Sequence, residues 1–453
     1  MITAVFAADA LLPDGPARDV RIEIDAGRIS TVTTDTEPGD ALRLPGVLLP
    51  GFADVHSHAF HRALRGRTHD DGGTFWTWRR LMYAVAARLD PDLMLRLARA
   101  VYAEAALAGV SAVGEFHYLH HAPGGVRYAD PNAMAEALRQ AAADAGVRLT
   151  LLDTAYLAGG LDPSGHRPLD PVQQRFSDGD VGTWAARVAA LPDSAGLRVG
   201  VAIHSVRAVP AGDLSAVGSF ARSGLGRGAD DPRPLHVHLS EQPAENAAAL
   251  GFYGRTPTAL LERAGVLGPG TTAVHATHLT EADVATLGAH RTGVCFCPTT
   301  ERDLADGIGP ARLLADAGCM LSLGSDQHAV LDLVEEARAL ELGERVRSGR
   351  RGCFSPAELL AALTRHQAIG WPDAGRIAVG ARADLVAVRT DTVRTAGARP
   401  EQIVFAATAA DVDTVIVDGE PVVRDGRHRL GDVGALLAEV IAACQDVAEG
   451  GPR

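Results

Sequence analysis

Short apolar segments alternate with helical patterns through the centre of this 453-residue chain, and this alternation limits the available folds more than any other feature. Helical stretches such as Pro91–Ala108 and Pro131–Ala145 separate most of the segments. Eight strands that alternate with helices over roughly 300 residues predict an α/β fold, a (β/α)8 TIM-type barrel. The strand candidates are Phe52–Val55, Val110–Phe116, Val147–Asp153, Leu197–Ile203, Leu235–Leu239, Thr271–Val274, Gly293–Phe296 and Met320–Leu323.

Both ends of the chain show a different pattern, in which apolar and polar residues alternate between turn signals. Strand patterns fill the first stretch up to Leu48 and return at Ala383–Val388 and Thr414–Val417, where Asp418-Gly419 forms a hairpin signal. A chain of this length has room for a large domain and a smaller one. We therefore expect a small β-sandwich domain from residues 1–49 and 376–430. The barrel would occupy 50–375, and a C-terminal helix and tail 431–453.

The composition excludes several classes of protein. A formal charge of −13 argues against a nucleic-acid-binding surface, which requires clustered cations. No apolar run reaches the roughly 18 residues that span a bilayer, and the first residues lack the basic flank of a signal peptide. Five cysteines, an odd number, favour a reduced interior over a disulfide scaffold. We expect a cytoplasmic protein with no nucleic-acid or membrane partner.

Residues that can bind a metal stand at the ends of four predicted strands. The first strand runs into His56-Ser57-His58, and side chains two positions apart on an extended chain point the same way. His238 ends the fifth strand, His275 the sixth and Asp326 the eighth. A nitrogen-rich set with one carboxylate suits Zn²⁺ or Fe²⁺ better than Mg²⁺ or Ca²⁺. The sequence therefore predicts a site for one divalent metal ion at the barrel mouth.

The segment Pro50–His58, with the later histidines and the aspartate, resembles the amidohydrolase superfamily, and the resemblance covers nearly the whole chain. Many members hold two metals through a carboxylated lysine, but all 43 basic residues here are arginine, so the single-metal deaminase branch is the better match. The resemblance implies zinc, or alternatively iron, on His56, His58, His238 and Asp326. It implies further that Asp326 and His275 take a proton from the attacking water, and that Glu241 carries a proton to the departing nitrogen.

Longer segments resemble the N-formimidoyl-L-glutamate deiminases of histidine degradation. They are Thr74–Arg79, Glu115–His121, His204–Arg207, Val274–His278 and Pro298–Glu301. This resemblance implies hydrolysis of a formimino group to a formyl group with release of ammonia, by a homodimer acting on a small anionic substrate. The residues that it places on the substrate are His61, Arg79, Tyr118, His204 and Arg207.

Several of these residues also have plainer structural interpretations. Glu241 could orient a ligand histidine, Arg207 could pair with a structural aspartate, and Tyr118 could belong to the core. Arg79 adjoins Arg80, and one of the two is expected to be only a solvated charge. The roles assigned above are the favoured interpretations, because arginine binds carboxylates bidentately and a dianion needs local cations in a negatively charged protein.

One departure from the deiminase pattern bears on the substrate. His61 stands where the family commonly has glutamine, close to the expected position of the reacting group, and a histidine there can donate a hydrogen bond or titrate. The alternative function is therefore another mononuclear deaminase, acting on a cyclic amidine such as a purine, pterin or triazine. A barrel that has lost catalysis is disfavoured, because its ligand set would be broken.

Other segments receive structural interpretations. Cys295-Phe296-Cys297 is expected to fill the barrel interior, and His117, His120 and His121 to be structural or to support the site. The Arg65–Gly73 loop, with its Gly72-Gly73 pair, is a candidate lid. The stretch Leu430–Gln445 is expected to be an amphipathic helix packed on the barrel.

Overall fold

The computed structural model describes residues 2–69, 75–223 and 233–445. In these ranges the strands are β1 (Ala4–Leu12), β2 (Gly15–Asp25), β3 (Arg28–Thr33), β4 (Leu42–Pro50), β5 (Phe52–Ser57), β6 (Val110–His117), β7 (Arg148–Ala155), β8 (Gly160–Asp162), β9 (Gly165–Arg167), β10 (Leu197–Ile203), β11 (Leu235–Leu239), β12 (Thr271–His275), β13 (Gly293–Phe296), β14 (Leu321–Leu323), β15 (Leu385–Val388), β16 (Val412–Val417), β17 (Glu420–Arg424) and β18 (Arg427–His428). The α-helices are α1 (Phe75–Ala86), α2 (Pro91–Leu107), α3 (Ala133–Ala145), α4 (Val181–Ala189), α5 (Ala211–Arg222), α6 (Pro243–Tyr253), α7 (Pro257–Arg263), α8 (Glu281–Ala289), α9 (Pro298–Asp303), α10 (Ala311–Asp316), α11 (Leu333–Ser348), α12 (Pro356–Leu363) and α13 (Val433–Gln445). Short 3₁₀ helices lie at Ala59–Leu64, Pro123–Gly125, Gln173–Phe176, His366–Ile369, Pro400–Phe405 and Ala409–Asp411.

Strands β5, β6, β7, β10, β11, β12, β13 and β14 form the predicted parallel barrel, and their spatial order is their chain order. Strands such as β6 and β7 are buried at every position, as expected for parallel strands that are covered on both faces. The barrel closes between its first and last strands, where Asp326 N donates to His56 O at 2.9 Å and His58 N donates to Asp326 O at 3.0 Å. The predicted (β/α)8 architecture is confirmed.

The closing strands pack too tightly for a side chain between them. A Cβ on Gly324 would lie 2.6 Å from the backbone oxygen of His56. Beside it, Ser325 N donates to the Asp54 carboxylate at 2.9 Å. Burial raises the pKa of Asp54 to about 7, although the hydrogen bonds from Ser325 oppose this shift. The first and last strands are therefore fixed to each other at the level of His56 and Asp326.

The helices around the barrel begin at recognisable caps. The Asp90 side chain accepts a hydrogen bond from Leu93 N at the start of α2, where Pro91 is the first helical residue. Thr280 and Asp283 form a capping box on α8. Such caps satisfy backbone donors that the first helical turn leaves without partners, and so fix where each helix leaves its loop.

The two chain ends pair into one mixed sheet, which in the described residues has the order β18-β17-β16-β15-β4-β1-β2-β3. Strand β1 runs parallel to β4, and β15 joins the two chain ends by pairing antiparallel with β4. Apolar side chains from both ends, including Val5, Ile22, Leu48, Leu385 and Ile416, form its buried cluster. The β-structure predicted for both ends is confirmed.

A buried ion pair links this sheet to the barrel. Arg148, the first residue of β7, donates from Nη1 to Asp384 Oδ1 at 2.9 Å and from Nη2 to Asp384 Oδ2, and both side chains are buried. Asp418 Oδ1 lies 3.2 Å from Arg148 Nη1. Burial by itself raises the pKa of Asp384, but the charge and hydrogen bonds of Arg148 outweigh it and lower this pKa overall.

Replacement of Asp384 by alanine is expected to lower the free energy of unfolding by about 3–5 kcal/mol, because the Arg148 charge stays buried without its bidentate partner. Urea denaturation followed by circular dichroism measures the change. Asp40→Ala is the matched control, since Asp40 forms an exposed pair with Arg21 and its loss is expected to leave the unfolding midpoint unchanged. Equal midpoints for Asp384→Ala and the parent protein would contradict the assigned role.

The C-terminal segment forms α13, as expected, and it packs beside α2. Arg96 Nη2 lies 2.8 Å from Glu439 Oε1, and Arg88 donates to the backbone oxygen of Cys444 at 3.2 Å. None of the described helices combines the length with the apolar composition needed to cross a bilayer. The candidate lid Arg65–Gly73 falls partly on residues 70–74, which lie outside the described residues.

Candidate active site and metal centre

Polar residues from the strand ends converge at the carboxyl-terminal mouth of the barrel. His56 and His58 come from the end of β5, His238 lies in β11, His275 ends β12 and Asp326 follows β14. All five side chains are buried. Potential ligand atoms lie within 4.8 Å of one another in one group of His56, His238 and His275, and in another of His56, His58 and Asp326. The structure thus brings together residues that are far apart in the sequence.

Two of these residues have a backbone conformation that side chains rarely adopt. His275 has a φ of 68° and Asp326 a φ of 45°, both in the left-handed region. Such a conformation costs about 1–3 kcal/mol and persists where the surroundings impose it. Hydrogen bonds to neighbouring strands impose it here, since Ala276 N donates to Leu239 O at 3.0 Å and Asp326 N donates to His56 O. The left-handed turn directs each side chain into the barrel mouth.

The tautomers of two histidines follow from their backbone partners. Nδ1 of His58 lies 2.9 Å from Phe116 O, and Nδ1 of His238 lies 2.9 Å from His204 O. A carbonyl oxygen only accepts, so each Nδ1 carries the proton and each Nε2 keeps its lone pair. Burial lowers the pKa of His58 to about 4 and that of His238 well below its usual value. Both imidazoles are therefore neutral, with Nε2 facing the cluster.

The distances within the cluster suit a bound cation. Asp326 Oδ1 lies 3.4 Å from Nε2 of both His56 and His58, and His238 Nε2 lies 3.1 Å from His56 Nε2. Burial lowers the pKa of His56 to about 3. Because His238 Nε2 carries a lone pair, its approach to His56 Nε2 requires either a proton on His56 Nε2 or a cation between the two nitrogen atoms. Three imidazoles and one carboxylate are donors that Zn²⁺ and Fe²⁺ accept.

A second set of acidic groups surrounds His275. Its Nε2 lies 3.8 Å from Asp326 Oδ2 and 3.8 Å from Glu241 Oε1, and its Nδ1 lies 3.4 Å from Glu301 Oε1. Burial by itself lowers the pKa of His275, but the charges of Glu241, Glu301 and Asp326 outweigh burial and raise this pKa to about 10. With this pKa the ring of His275 is protonated near neutral pH, and a cation held by Asp326 would lower the pKa and free the ring to accept a proton. Glu241, whose carboxylate lies 3.8 Å from His275 Nε2, is placed to pass a proton on.

A cavity of about 360 Å³ opens onto this cluster. All five residues predicted to bind substrate line it, together with Glu241, His275 and Asp326. Four further aromatic side chains, Trp78, Tyr83, Tyr156 and Phe176, form part of its walls. The five lining residues that were predicted to bind substrate are His61, Arg79, Tyr118, His204 and Arg207.

His61 and Tyr118 form a pair beside the cluster. The Nε2 atom of His61 lies 2.9 Å from the Tyr118 hydroxyl, and the His61 ring lies 4.6 Å from that of His58, centre to centre. Burial lowers the pKa of His61 well below its usual value, so its imidazole is neutral. His61 therefore lies beside His58, one of the predicted metal ligands, and its ring contacts the Tyr118 hydroxyl.

The two arginines line the cavity, and both have protein partners. Arg79, on α1, donates from Nε to the Tyr83 hydroxyl at 3.0 Å. Arg207 donates from Nη2 to Glu241 Oε2 at 3.2 Å, and its Nε lies 3.5 Å from Glu245 Oε2. Arg207 thus pairs with two glutamates and not with the structural aspartate considered for it, and both arginines line the cavity that opens onto the histidine cluster.

Two glutamates reach the site without having been assigned a role from the sequence. Glu301 accepts a hydrogen bond from Cys297 N at 2.9 Å, which directs its carboxylate toward His275. Glu245 contacts Arg207 from the first turn of α6. Its position four residues after Glu241, about one helical turn, was the available signal. For Glu301 the signal was its place within a segment that already resembled the deiminases.

The histidines at the end of β6 (Val110–His117) and just after it belong to a separate, buried network. Asp153 accepts two hydrogen bonds from Arg187 at 2.8 and 2.9 Å and one from the Trp184 indole at 2.9 Å. His120 Nε2 lies 3.7 Å from the same carboxylate. Because Arg187 neutralises Asp153, this network is structural. Cys295 and Cys297 are buried in the barrel interior, as expected.

Residues 47–422, most of the chain, match the amidohydrolase family. The chain belongs to the amidohydrolase family. It is therefore a hydrolase of carbon–nitrogen bonds. Residues 2–43 match a second description, "Formimidoylglutamate deiminase HutF, N-terminal domain".

Relatives and solved structures agree with this assignment. The amidohydrolase is 37% identical to a formimidoylglutamate deiminase of Pseudomonas aeruginosa, over 94% of this chain and 96% of the relative. It is 29% identical to an 8-oxoguanine deaminase of the same organism, over 89% of this chain and 88% of the relative. An amidohydrolase structure from Brucella melitensis superposes with a TM-score of 0.88 at 31% identity and covers 97% of this chain and 99% of its own. The zinc complex of an atrazine chlorohydrolase from Arthrobacter aurescens, 21% identical with a TM-score of 0.83 over 97% of this chain and 100% of its own, shares the fold.

Proposed function

We propose that this amidohydrolase converts N-formimidoyl-L-glutamate to N-formyl-L-glutamate and ammonia, a reaction of histidine degradation. The observation that carries the proposal is that Arg79 and Arg207 line the same cavity as the histidine–aspartate cluster. In the substrate the formimino group is attached to the nitrogen of a glutamate, which carries an α-carboxylate beside that nitrogen and a γ-carboxylate at the far end. In a chain of net charge −13 a dianion needs local cations, and the planar guanidinium binds carboxylates bidentately. The 37% identity to the Pseudomonas aeruginosa deiminase supports the same substrate.

We propose that His56, His58, His238 and Asp326 hold one divalent metal ion, with zinc favoured over iron. When bound, such an ion makes hydroxide available from water near neutral pH and polarises the atom under attack. The tautomers of His58 and His238 support this assignment, because Phe116 O and His204 O leave each Nε2 free to donate its lone pair.

The proton transfers are assigned to groups around His275. His275 and Asp326 take the proton that the attacking water releases, and the carboxylates around His275 stabilise its protonated form. The water oxygen adds to the formimino carbon, and Glu241 carries the released proton to the terminal imino nitrogen, which becomes an amino group. This nitrogen takes a second proton from the new hydroxyl group and leaves as neutral ammonia when its bond to the formimino carbon breaks. The hydroxyl oxygen remains as the formyl oxygen, and the product stays bound through its carboxylates.

The substrate contacts are assigned to the five residues predicted to bind it, with the carboxylates assigned to Arg79, Arg207, Tyr118 and His204. Arg79 and Arg207 supply charge, while the hydroxyl of Tyr118 and the rings of His61 and His204 supply neutral hydrogen-bonding groups. His61 acts next to the reacting group and holds the Tyr118 hydroxyl in place. Its neutral ring can donate a hydrogen bond at the position where the family commonly has glutamine.

Ammonia release from N-formimidoyl-L-glutamate by purified enzyme of known metal content tests the reaction. We expect rapid release that depends on the metal. The aromatic walls around Trp78, Tyr83 and Tyr156 favour the second candidate, a cyclic amidine, because flat rings stack on such side chains. Metal-loaded enzyme that releases ammonia from a purine, pterin or triazine, and none from N-formimidoyl-L-glutamate, would replace the proposed substrate.

Replacement of Arg207 by alanine is expected to raise KM for N-formimidoyl-L-glutamate by about 10- to 150-fold, the equivalent of the roughly 1.5–3 kcal/mol of a charged hydrogen bond. Steady-state ammonia release measures KM. Arg167→Ala is the matched control, because Arg167 also lines the cavity but lies 4.0 Å from Asp162 and is about half exposed. An unchanged KM for Arg207→Ala would make Arg207 a structural residue.

Three further properties complete the proposal. We place the enzyme in the cytoplasm as a homodimer, with the small anionic substrate as its partner. We also retain the division into an end domain of 1–49 and 376–430, a barrel of 50–375 and a C-terminal segment of 431–453. Sedimentation of the purified protein tests the dimer, and limited proteolysis tests the boundaries.

A further inference from the structure

Arg207 lies between two carboxylates inside the substrate cavity. Its Nη2 donates to Glu241 Oε2 at 3.2 Å, and its Nε lies 3.5 Å from Glu245 Oε2. Glu241 is the group assigned to carry the proton, and Arg207 is assigned to a substrate carboxylate. The arginine assigned to a substrate carboxylate therefore contacts the group assigned to the proton transfer.

The two carboxylates are not equivalent. Glu245 belongs to the first turn of α6, and its side chain is completely buried. Glu241 lies in the loop between β11 and α6, lines the cavity and also faces His275 at 3.8 Å. Glu245 is thus a buried part of the cavity wall, whereas the side chain of Glu241 can turn toward the cavity.

A substrate carboxylate that binds Arg207 comes close to Glu241. The guanidinium presents its five N–H groups in one fixed plane, and a carboxylate bound in the bidentate geometry to Nη1 and Nη2 would share Nη2 with Glu241. The two negative charges would then repel each other, which favours the departure of Glu241. While Glu241 accepts from Arg207, its Oε2 is occupied by a cation rather than by the reacting nitrogen. Binding of the substrate carboxylate removes that partner from Glu241.

We propose that Arg207 exchanges Glu241 for a substrate carboxylate while Glu245 keeps the guanidinium in place, so that the carboxylate end of the substrate releases the group that acts at its formimino end. Glu245 is then a positioning residue, and the exchange couples recognition to turnover. The inference rests on the proposed function. Energy from a remote part of the substrate is used in the chemical step, which raises kcat and not only affinity.

The coupling predicts how a substrate without carboxylates behaves. N-methylformamidine retains the reacting group and lacks both carboxylates, so Glu241 stays on Arg207. We expect its kcat to be about ten-fold or more below that of N-formimidoyl-L-glutamate, in line with the loss of one charged hydrogen bond from the transition state. Glutarate, which supplies the missing carboxylates, is expected to raise this kcat.

The experiment measures ammonia release from N-methylformamidine by metal-loaded enzyme, with and without glutarate, for the wild type, Arg207→Ala and the control Arg167→Ala. Glutarate binding is measured separately by calorimetry. We expect glutarate to activate the wild type and Arg167→Ala. Arg207→Ala should turn N-methylformamidine over faster than the wild type does without glutarate, because Glu241 is already released, and should not respond to glutarate.

Any other outcome of this experiment contradicts the proposed exchange of Glu241 for a substrate carboxylate on Arg207. A kcat for N-methylformamidine equal to that for the full substrate would show that the carboxylates contribute affinity alone. If glutarate binds but leaves kcat for N-methylformamidine unchanged, the carboxylates likewise contribute affinity alone. An absence of ammonia from N-formimidoyl-L-glutamate overturns the proposed function instead, and glutarate-dependent turnover of N-methylformamidine would then still show the exchange on its own.

Discussion

Replacement of Glu241 by glutamine is expected to lower kcat for N-formimidoyl-L-glutamate by about 10²–10⁴-fold, the usual contribution of a positioned acid or base. Glutamine preserves the shape of the side chain and can still accept a hydrogen bond from Arg207, but it cannot carry a proton. Because Glu241 is not among the proposed ligands, metal content is expected to stay the same. Steady-state ammonia release and metal analysis of the same preparation measure both properties.

Glu262→Gln serves as the control for this substitution. Glu262 lies at the exposed end of α7, where its carboxylate is 3.5 Å from His290, and its charge is unrelated to the cavity. The control is expected to keep the parent kcat. Undiminished turnover by Glu241→Gln would remove Glu241 from the proton transfers and leave it as a group that orients its neighbours.

Removal of the metal is expected to abolish ammonia release, and added Zn²⁺ is expected to restore it. Replacement of His56 by alanine should have the same effect without chelation, because His56 belongs to the two groups of potential ligands that together contain the four proposed ligands. Metal content by atomic absorption and ammonia release are measured together. The proposed ligand set predicts that both fall in parallel.

His69→Ala is the matched control for a histidine substitution. His69 is largely exposed and pairs with Asp303 at 2.8 Å, so its loss is expected to affect neither metal content nor turnover. An apoenzyme that releases ammonia at the rate of the loaded enzyme would contradict the metal-dependent mechanism. A His56→Ala variant with full metal content would contradict the ligand assignment.

Much of the fold followed from local patterns. The barrel strands formed where apolar segments were expected, and β10 (Leu197–Ile203) and β11 (Leu235–Leu239) have the predicted bounds. Strand β5 continues past its expected end at Val55 to Ser57, because its hydrogen bonds with Asp326 extend the pairing. Such a difference depends on a partner strand that is distant in the sequence, and no local pattern contains it.

The candidate site was predicted less evenly. The His56-x-His58 pattern and the strand-end positions of His238 and Asp326 pointed to a metal site because the barrel fold brings strand ends together. The contacts of Glu245 with Arg207, and of Glu301 with His275, were not foreseen. Both depend on side-chain orientation, since a glutamate that is four residues from another can face either the cavity or solvent.

The sequence by itself determined the alternation of strands and helices, the excess of negative charge and the residue types available for the site, because periodicity and composition are local properties. Only the tertiary structure decided which of these residues meet. The barrel closes through contacts such as that of Ser325 with Asp54, 271 residues apart, and the same closure places Asp326 against His56 and His58. The contacts of Arg207 with Glu241 and Glu245 have the same physical reason. A buried charge is costly unless an opposite charge lies close to it, and the packing of the fold decides which opposite charge that is.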